Sequence, residues 1–317
     1  MDALAHALLG ATLAQATSAR CTVLSPRQCL ATCVSSAVFP DIDFIGFLVD
    51  PLRFLAEWHQ GPTHSLILLP LWAALIGGAF ALVGRRKAAF LPACAFAAVG
   101  LASHIGLDLM TAYGTALLYP LSQQRFWIGS LFLVDPVFLL IALGALVASL
   151  RLRRPWPALA GLALLALYAG AQTLQQRASD IARQWAQANG IVPARVAALA
   201  QPLSPFNWKL LVVDGAHYHQ AYLQLAAGAA ALPIPGPLGE LARAYRPPER
   251  LVWQRRHRYG EDADLQPQVQ ARWLDPRFAR YRRFAIFPAL SRIDRGGETC
   301  IWFTDLLDGW IARHYNQ

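Results

Sequence analysis

The sequence predicts a polytopic α-helical membrane domain with a C-terminal α+β extramembrane domain. Three observations carry that reading. The 317 residues are 56% hydrophobic and only 15% charged, with a mean hydropathy of +0.34, too apolar for an ordinary soluble domain. Four segments approach the ~20 apolar residues needed to cross ~30 Å of hydrocarbon. Charge is uneven: residues 1–150 hold seven Lys/Arg and seven Asp/Glu, whereas 151–317 hold twenty-one against twelve, the whole +9 excess. The domain boundary is expected near 174, giving 1–174 and 175–317.

The four expected spans are Ser65–Gly84, Ala88–Leu107, Leu131–Leu150 and Trp156–Leu174. "RRK" (Arg85–Lys87) separates the first pair and "RLRRP" (Arg151–Pro155) the second, so both basic clusters lie on one side. The positive-inside rule makes that side cytoplasmic and turns His64 and Thr111–Leu131 outward. Against this, the first 63 residues would cross without a recognisable signal, since Met1-Asp2 opens acidic. Their apolar stretches, "ALAHALLGATLAQA" and "CLATCVSSAVF", are short for spans and read as interfacial helices leading into an extended loop, "FPDIDFIG". Five scattered cysteines without a CxxC do not suggest a disulfide framework, and Cys29 and Cys33 read as packing residues.

Beyond Leu174, "QQRASDIARQWAQANG" reads as a helix ended by Gly190. "WKLLVVD" and "HYHQAYLQL" flank Asp214-Gly215 as a hairpin, and "RLVWQRRHRYG", "RFARYRRF", "RFAIFPALS" and "ETCIWFTDL" read as further strands. "PIPGPLG" (Pro233–Gly239) reads as a loop. The Arg- and aromatic-rich strands suit single-stranded nucleic acid or lipid headgroups. Beside four spans the membrane lipid is the expected partner, with no specific nucleic acid. His217 and His219, two apart on a strand, read as an exposed face.

The chemistry gathers in the first 110 residues, which contain His6, Asp41, Asp43, His59, His64, His104 and Asp108. His104 and Asp108, at i and i+4, project from one helix face. An ionisable group in a spanning helix is costly and marks a functional site by default. "HQGPTH" breaks the chain at Gly61-Pro62 between His59 and His64, so both rings can turn to one point. His64 opens the first span and Asp108 closes the second, which brings the groups to one membrane face. Imidazole with carboxylate suits zinc, manganese or ferrous iron, and four His with three Asp suffice for one ion or two. Thr63 and Ser65 flank His64 as hydrogen-bonding supports or caps. Tyr113 is either an oxyanion donor or an interfacial aromatic. Arg125 suits a phosphate or a solvated loop, and Asp135 is a candidate partner for it. No phosphate loop or nucleophile elbow is present.

"MDALAHALLGATLA", "FPDIDFI", "HQGPTHS" and "HIGLDLMTAYGTALLYPLS" together resemble the YdjM-like family, described as membrane-bound, metal-dependent, LexA-binding hydrolases associated with the inner membrane. That family's patterns are Asp-x-x-Thr-His, Pro-Asp-x-Asp, His-Arg-x-x-Thr-His-Ser, and His-x-x-x-Asp followed by Tyr-Gly. The resemblance is strong over 1–136 and weaker in "PLSPFNWKLLVVDGAHY". It implies metal ligation by His6, Asp41, Asp43, His59, His64, His104 and Asp108. Ala5 stands where the family has Thr, and Gln60 where it has Arg, which leaves Arg53 or Arg125 to meet a substrate anion.

The expected function is a multi-pass bacterial inner-membrane hydrolase that uses a divalent metal, zinc or manganese, on a phosphoester or ester at the membrane interface. A lipid-linked or phosphorylated substrate fits that position. Asp43 or Asp108 is the expected proton acceptor, with Thr63, Tyr113 and Arg125 at the substrate. The alternative is a non-enzymatic scaffold or regulator with a structural metal and a protein partner.

Overall fold

The computed structural model describes residues 2–170, 172–226, 243–295 and 299–307. They divide into two compact units: Met1–Gln172 with Pro202–Pro205, and Thr173–Gln201 with Phe206–Gln317. The expected loop Pro233–Gly239 lies outside the described residues.

The first unit is helical. α1 (Ala3–Thr17) starts where the Asp2 carboxylate accepts from the Leu4 and Ala5 N–H groups. α2 (Pro26–Val38) starts on a capping box of Ser25 and Gln28, with Pro26 at its first position. After a short α3 (Pro51–Arg53) come α4 (Leu69–Val83), α5 (Phe90–Leu109), α6 (Pro136–Leu152) and α7 (Trp156–Ala169). α1 is apolar all round, and it packs against α2, α5, α6 and α7. A helix without a polar face belongs inside, so the expectation that it lies at an interface is corrected.

Three further expectations change. α2 runs into a 3-10 helix, Phe39–Leu48, so "FPDIDFIG" is helical and not an extended loop. Together they make a 23-residue apolar stretch, Pro26–Leu48, long enough to cross a membrane. The expected span from Ser65 begins instead at Leu69; the Ser65 hydroxyl accepts from the Ile67 and Leu68 N–H groups and holds the turn that leads into the helix. The expected span from Leu131 begins at Pro136, capped by Asp135, and has 17 residues. Among the described residues, three helical stretches are long and apolar enough to span: Pro26–Leu48, Lys87–Leu109 and Trp156–Ala188. A fourth arises if Pro51–His64 and Leu69–Val83, bent by 70°, are one span.

Small residues set the helix spacing. A Cβ at Gly10 of α1 would meet Ala37 Cβ at 2.7 Å, and one at Gly100 of α5 would meet Ala37 N at 2.9 Å. Both helices therefore close on the same turn of α2, the close approach that only small residues permit between spans.

In the second unit α8 (Gln172–Ala188) lays Ala178, Ala182 and Ala186 on one face of an antiparallel sheet. The sheet order is β1 (Arg195–Ala200), β2 (Asn207–Asp214), β3 (His217–Gln224) and β4 (Gln254–His257). Gly215, at φ +56°, turns the predicted β2–β3 hairpin. β5 (Pro288–Arg295) and β6 (Thr299–Asp305) form a second hairpin. The Lys209 ammonium donates to Leu306 O at 2.6 Å and Tyr218 Oη donates to Pro288 O at 2.8 Å, tying the sheet to that hairpin. "RFARYRRF" is not a strand: it supplies a 3-10 turn, Pro276–Phe278, and α10 (Ala279–Phe284), which follows α9 (Gln266–Leu274). Its Tyr281 and Phe278 cluster with Trp273 of α9 and with Phe303, a spacing of apolar residues that suits a helix.

Candidate metal centre

The two glycine contacts decide where the first imidazoles go. His6 lies one turn before Gly10 on α1, and His104 one turn after Gly100 on α5. With both backbones against α2, the two rings stack at 3.6 Å between centroids, 17° from parallel. His104 Nδ1 is 2.6 Å from Ala37 O at the end of α2. A carbonyl only accepts, so Nδ1 carries the proton and Nε2 keeps its lone pair.

That lone pair faces three other candidate ligands. His104 Nε2 is 3.0 Å from His64 Nε2, 3.4 Å from Asp108 Oδ2 and 3.7 Å from Asp41 Oδ1. His64 Nε2 is in turn 3.3 Å from Asp108 Oδ2 and 3.9 Å from Asp41 Oδ1. His64 is held by its neighbour, since Thr63 Oγ1 lies 3.0 Å from His64 Nδ1. Asp108 Oδ1 approaches His6 Nε2 at 3.2 Å. Neither ring nitrogen of His6 makes a hydrogen bond of good geometry, so this approach is close but misaligned and leaves a lone pair unused.

Asp43 sits on the other side of His64, with Oδ2 3.8 Å from His64 Nδ1 and 3.2 Å from His59 Nδ1. Asp41 and Asp43 thus flank the His64 ring, because successive carboxylates of a tight 3-10 turn diverge where an extended strand would align them. His59 and His64 approach at 5.8 Å between centroids across the Gly61-Pro62 break. All seven sequence candidates come together here. His6, His64 and His104 are fully buried and Asp108 is 1% exposed, whereas Asp41, Asp43 and His59 reach 11–16%. The centre opens at those three.

The donor set suits a cation. Two imidazole nitrogens 3.0 Å apart can share one proton at most, and carboxylates gathered at this depth need positive charge beside them. Two groups have ligand atoms within 4.8 Å of one another: His6, His104 and Asp108, and Asp41, His64 and His104. Both use His104, whose single free nitrogen serves one ion.

A family model described as YdjM inner membrane protein matches residues 1–179, more than half of the chain. The chain belongs to the YdjM inner membrane protein family. No curated protein and no solved structure matches it.

The YdjM match takes in every residue of the centre and stops before β1. At the position where the sequence motif departs from the family's Arg, this YdjM protein places a residue that sequence reasoning did not count in the site. Gln60 is buried, its Nε2 donates to Asp108 Oδ2 at 3.2 Å, and its backbone N–H donates to Asp43 Oδ2 at 3.3 Å. Its place in the motif, next to His59 and where the family has Arg, is the sequence signal for it. Arg125 comes beside it, but its guanidinium donates to His59 O at 2.9 Å and Gly114 O at 3.1 Å. It clamps the backbone of the motif, and burial lowers its pKa from the usual arginine range. The expected Arg125–Asp135 pair is absent: Asp135 caps α6 and accepts from Tyr168 Oη at 2.7 Å. Arg53, exposed, pairs with Glu57. Tyr113 is half-buried in the turn after α5. Thr111 Oγ1 donates to Asp108 O, fixing the end of that helix. The loop after it straps the motif down, with Ala116 N–H donating to Gln60 O and Leu66 N–H to Leu117 O. His217 and His219 lie in the second unit, where His217 takes a hydrogen bond from Arg255.

Proposed function

We propose that this protein is a membrane-bound, metal-dependent hydrolase of phosphoesters or esters at the membrane interface. The observation that carries the reading is the convergence of His64 Nε2, His104 Nε2, Asp108 Oδ2 and Asp41 Oδ1, four atoms of hard and borderline character suited to zinc or manganese. His6, Asp108 and His104, or Asp41, His64 and His104, would hold one ion, and the Asp43–His59 side offers donors for a second. A divalent ion there supplies Lewis-acid polarisation of a phosphoryl or carbonyl oxygen and lowers the pKa of water.

The chain's own residues divide the remaining work. Asp108 has both oxygens engaged by imidazoles and the Gln60 amide, so it orients ligands. Asp43 is more open and lies beside half-buried His59, so it accepts the proton of the attacking water and His59 relays it outward. The water oxygen bonds to phosphorus or to the acyl carbon, the ester bond to oxygen breaks, and the leaving alkoxide takes up a proton. Thr63 fixes the His64 ring, and Arg125 holds the His59 carbonyl in place.

The test is metal analysis of the purified protein followed by turnover on phospholipid and phosphomonoester panels. His64→Ala and Asp108→Ala should each lose metal and turnover together. A metal-free protein whose function survives both changes would overturn the reading. The near-complete burial of His6, His64, His104 and Asp108 also suits a structural ion clamping α1 to α5, in a scaffold or regulator. That reading predicts unfolding on ligand removal, and no turnover in the folded wild type.

A further inference from the structure

We propose that α2 carries a groove for one acyl chain of a lipid phosphoester whose polar end lies at the metal centre. This rests on the hydrolase reading of that centre and names its substrate class. Two open troughs of about 670 and 640 Å³ lie along the helix. Both have Ser35 and Val38 in their walls, so they are successive stretches of one groove.

The lining follows from helical spacing. Arg27, Ala31, Val34, Ser35, Val38 and Ile42 recur at intervals of three and four residues, a single stripe of α2 and its 3-10 continuation. Ala3, Ala7 and Ala11, four apart, make the facing stripe on α1, and their small side chains leave the space open. Leu146 and Leu150 of α6 close the far stretch.

Length and continuity identify the occupant. Arg27 to Val38 is eleven helical steps, or roughly 17 Å at about 1.5 Å each. That is long enough to take one acyl chain lengthwise between the Asp41 end and the Arg27 end. One end is walled by Asp41, which the cluster holds 3.7 Å from His104 and which is open to solvent where His64 and His104 are not. Arg27 stands at the other end. A lipid seated with its tail toward Arg27 therefore delivers its ester or phosphoester to the centre. A chain lying anywhere else on the helices would not.

The experiment uses the full chain in detergent with added zinc or manganese. Substrates are water-soluble lysophosphatidic acids of increasing chain length and glycerol phosphate. For the wild type, kcat/KM should rise about fourfold per methylene, the usual gain on burying one, until the groove is full. Ala31→Trp, which plugs the groove, should cut the ratio of long-chain to short-chain kcat/KM at least tenfold, with an unchanged melting profile. An equal chain-length dependence in wild type and Ala31→Trp overturns the groove. If nothing is turned over, the hydrolase reading fails, and photocrosslinking with a diazirine-bearing lysophosphatidic acid then decides the groove. Labelling concentrated on residues 27–42 and lost in Ala31→Trp supports it; labelling spread evenly over the apolar helices overturns it.

Discussion

Asp108 lies 3.2–3.4 Å from three imidazoles and accepts from one amide, and the amide is the part of that set which residue type alone would pass over. Gln60 sits in the left-handed region at φ +58°, a conformation that costs a non-glycine residue about 1 kcal/mol or more. Its backbone N–H and side chain both point at site carboxylates, so the strain is tied to the centre. Gln60→Gly keeps the backbone geometry and removes only the amide, whereas Gln60→Ala keeps the strain. We expect both to weaken metal affinity about 10- to 100-fold, as loss of a group supporting a ligand usually does. Gln60→Gly should be the more stable by about 1 kcal/mol. Competition with a chelating dye and thermal melts in detergent measure the two effects. Equal affinity in wild type and both variants would detach Gln60 from the site. Metal removal is a related test: saturation at one hundred times Kd is worth about 2.7 kcal/mol, so a chelator should lower the melting temperature of the wild type and leave His64→Ala unmoved.

At the scale of elements, the centre depends on two glycines that carry no chemistry. Gly10 and Gly100 let α1 and α5 settle on the Cys33–Ala37 turn of α2, and the stacked His6–His104 pair follows from that spacing. Gly100→Leu should wedge α5 from α2, cost about 1–3 kcal/mol as overpacking does, and release the His104 bond to Ala37 O. Stability and bound metal are then expected to fall together. Gly106→Ala on the same helix is the control, because nothing lies within 4 Å of a Cβ there. If Gly100→Leu retained full metal content, the packing argument for His104 would be wrong.

Across the first unit, charge is sorted by end. All seven acidic residues up to position 150 (Asp2, Asp41, Asp43, Asp50, Glu57, Asp108, Asp135) lie at the end that holds the centre, with Arg53 and Arg125. The α1–α2, α4–α5 and α6–α7 connections at the other end, with the helix turns beside them, hold Arg20, Arg27, Arg85, Arg86, Lys87, Arg151, Arg153 and Arg154 and no acid. In Lys and Arg alone, the ends hold two against eight. The positive-inside rule then puts the basic end in the cytoplasm and the centre on the opposite face. In intact cells, an impermeant thiol reagent should label Gln123→Cys, in the loop after α5, and spare Arg86→Cys. The reverse pattern would place the centre in the cytoplasm.

The sequence by itself determined what is local: the apolar stretches, the β2–β3 hairpin around Asp214-Gly215, the helix ended by Gly190, and the seven His and Asp residues with their motif spacing. These follow from composition, periodicity and turn chemistry, which neighbouring residues dictate. The tertiary structure decided what depends on distant partners. α1 is a central helix because four others cover it, although its length had suggested an interfacial one. Phe39–Leu48 extends α2 because it packs beneath the His59–His64 segment. Arg125 turns to backbone carbonyls because the loop after α5 folds back on that segment, and Asp135 is taken by its own helix and Tyr168. Gln60 enters the site for the same reason: only the return of α5 brings Asp108 within reach of its amide, forty-eight residues away in the chain.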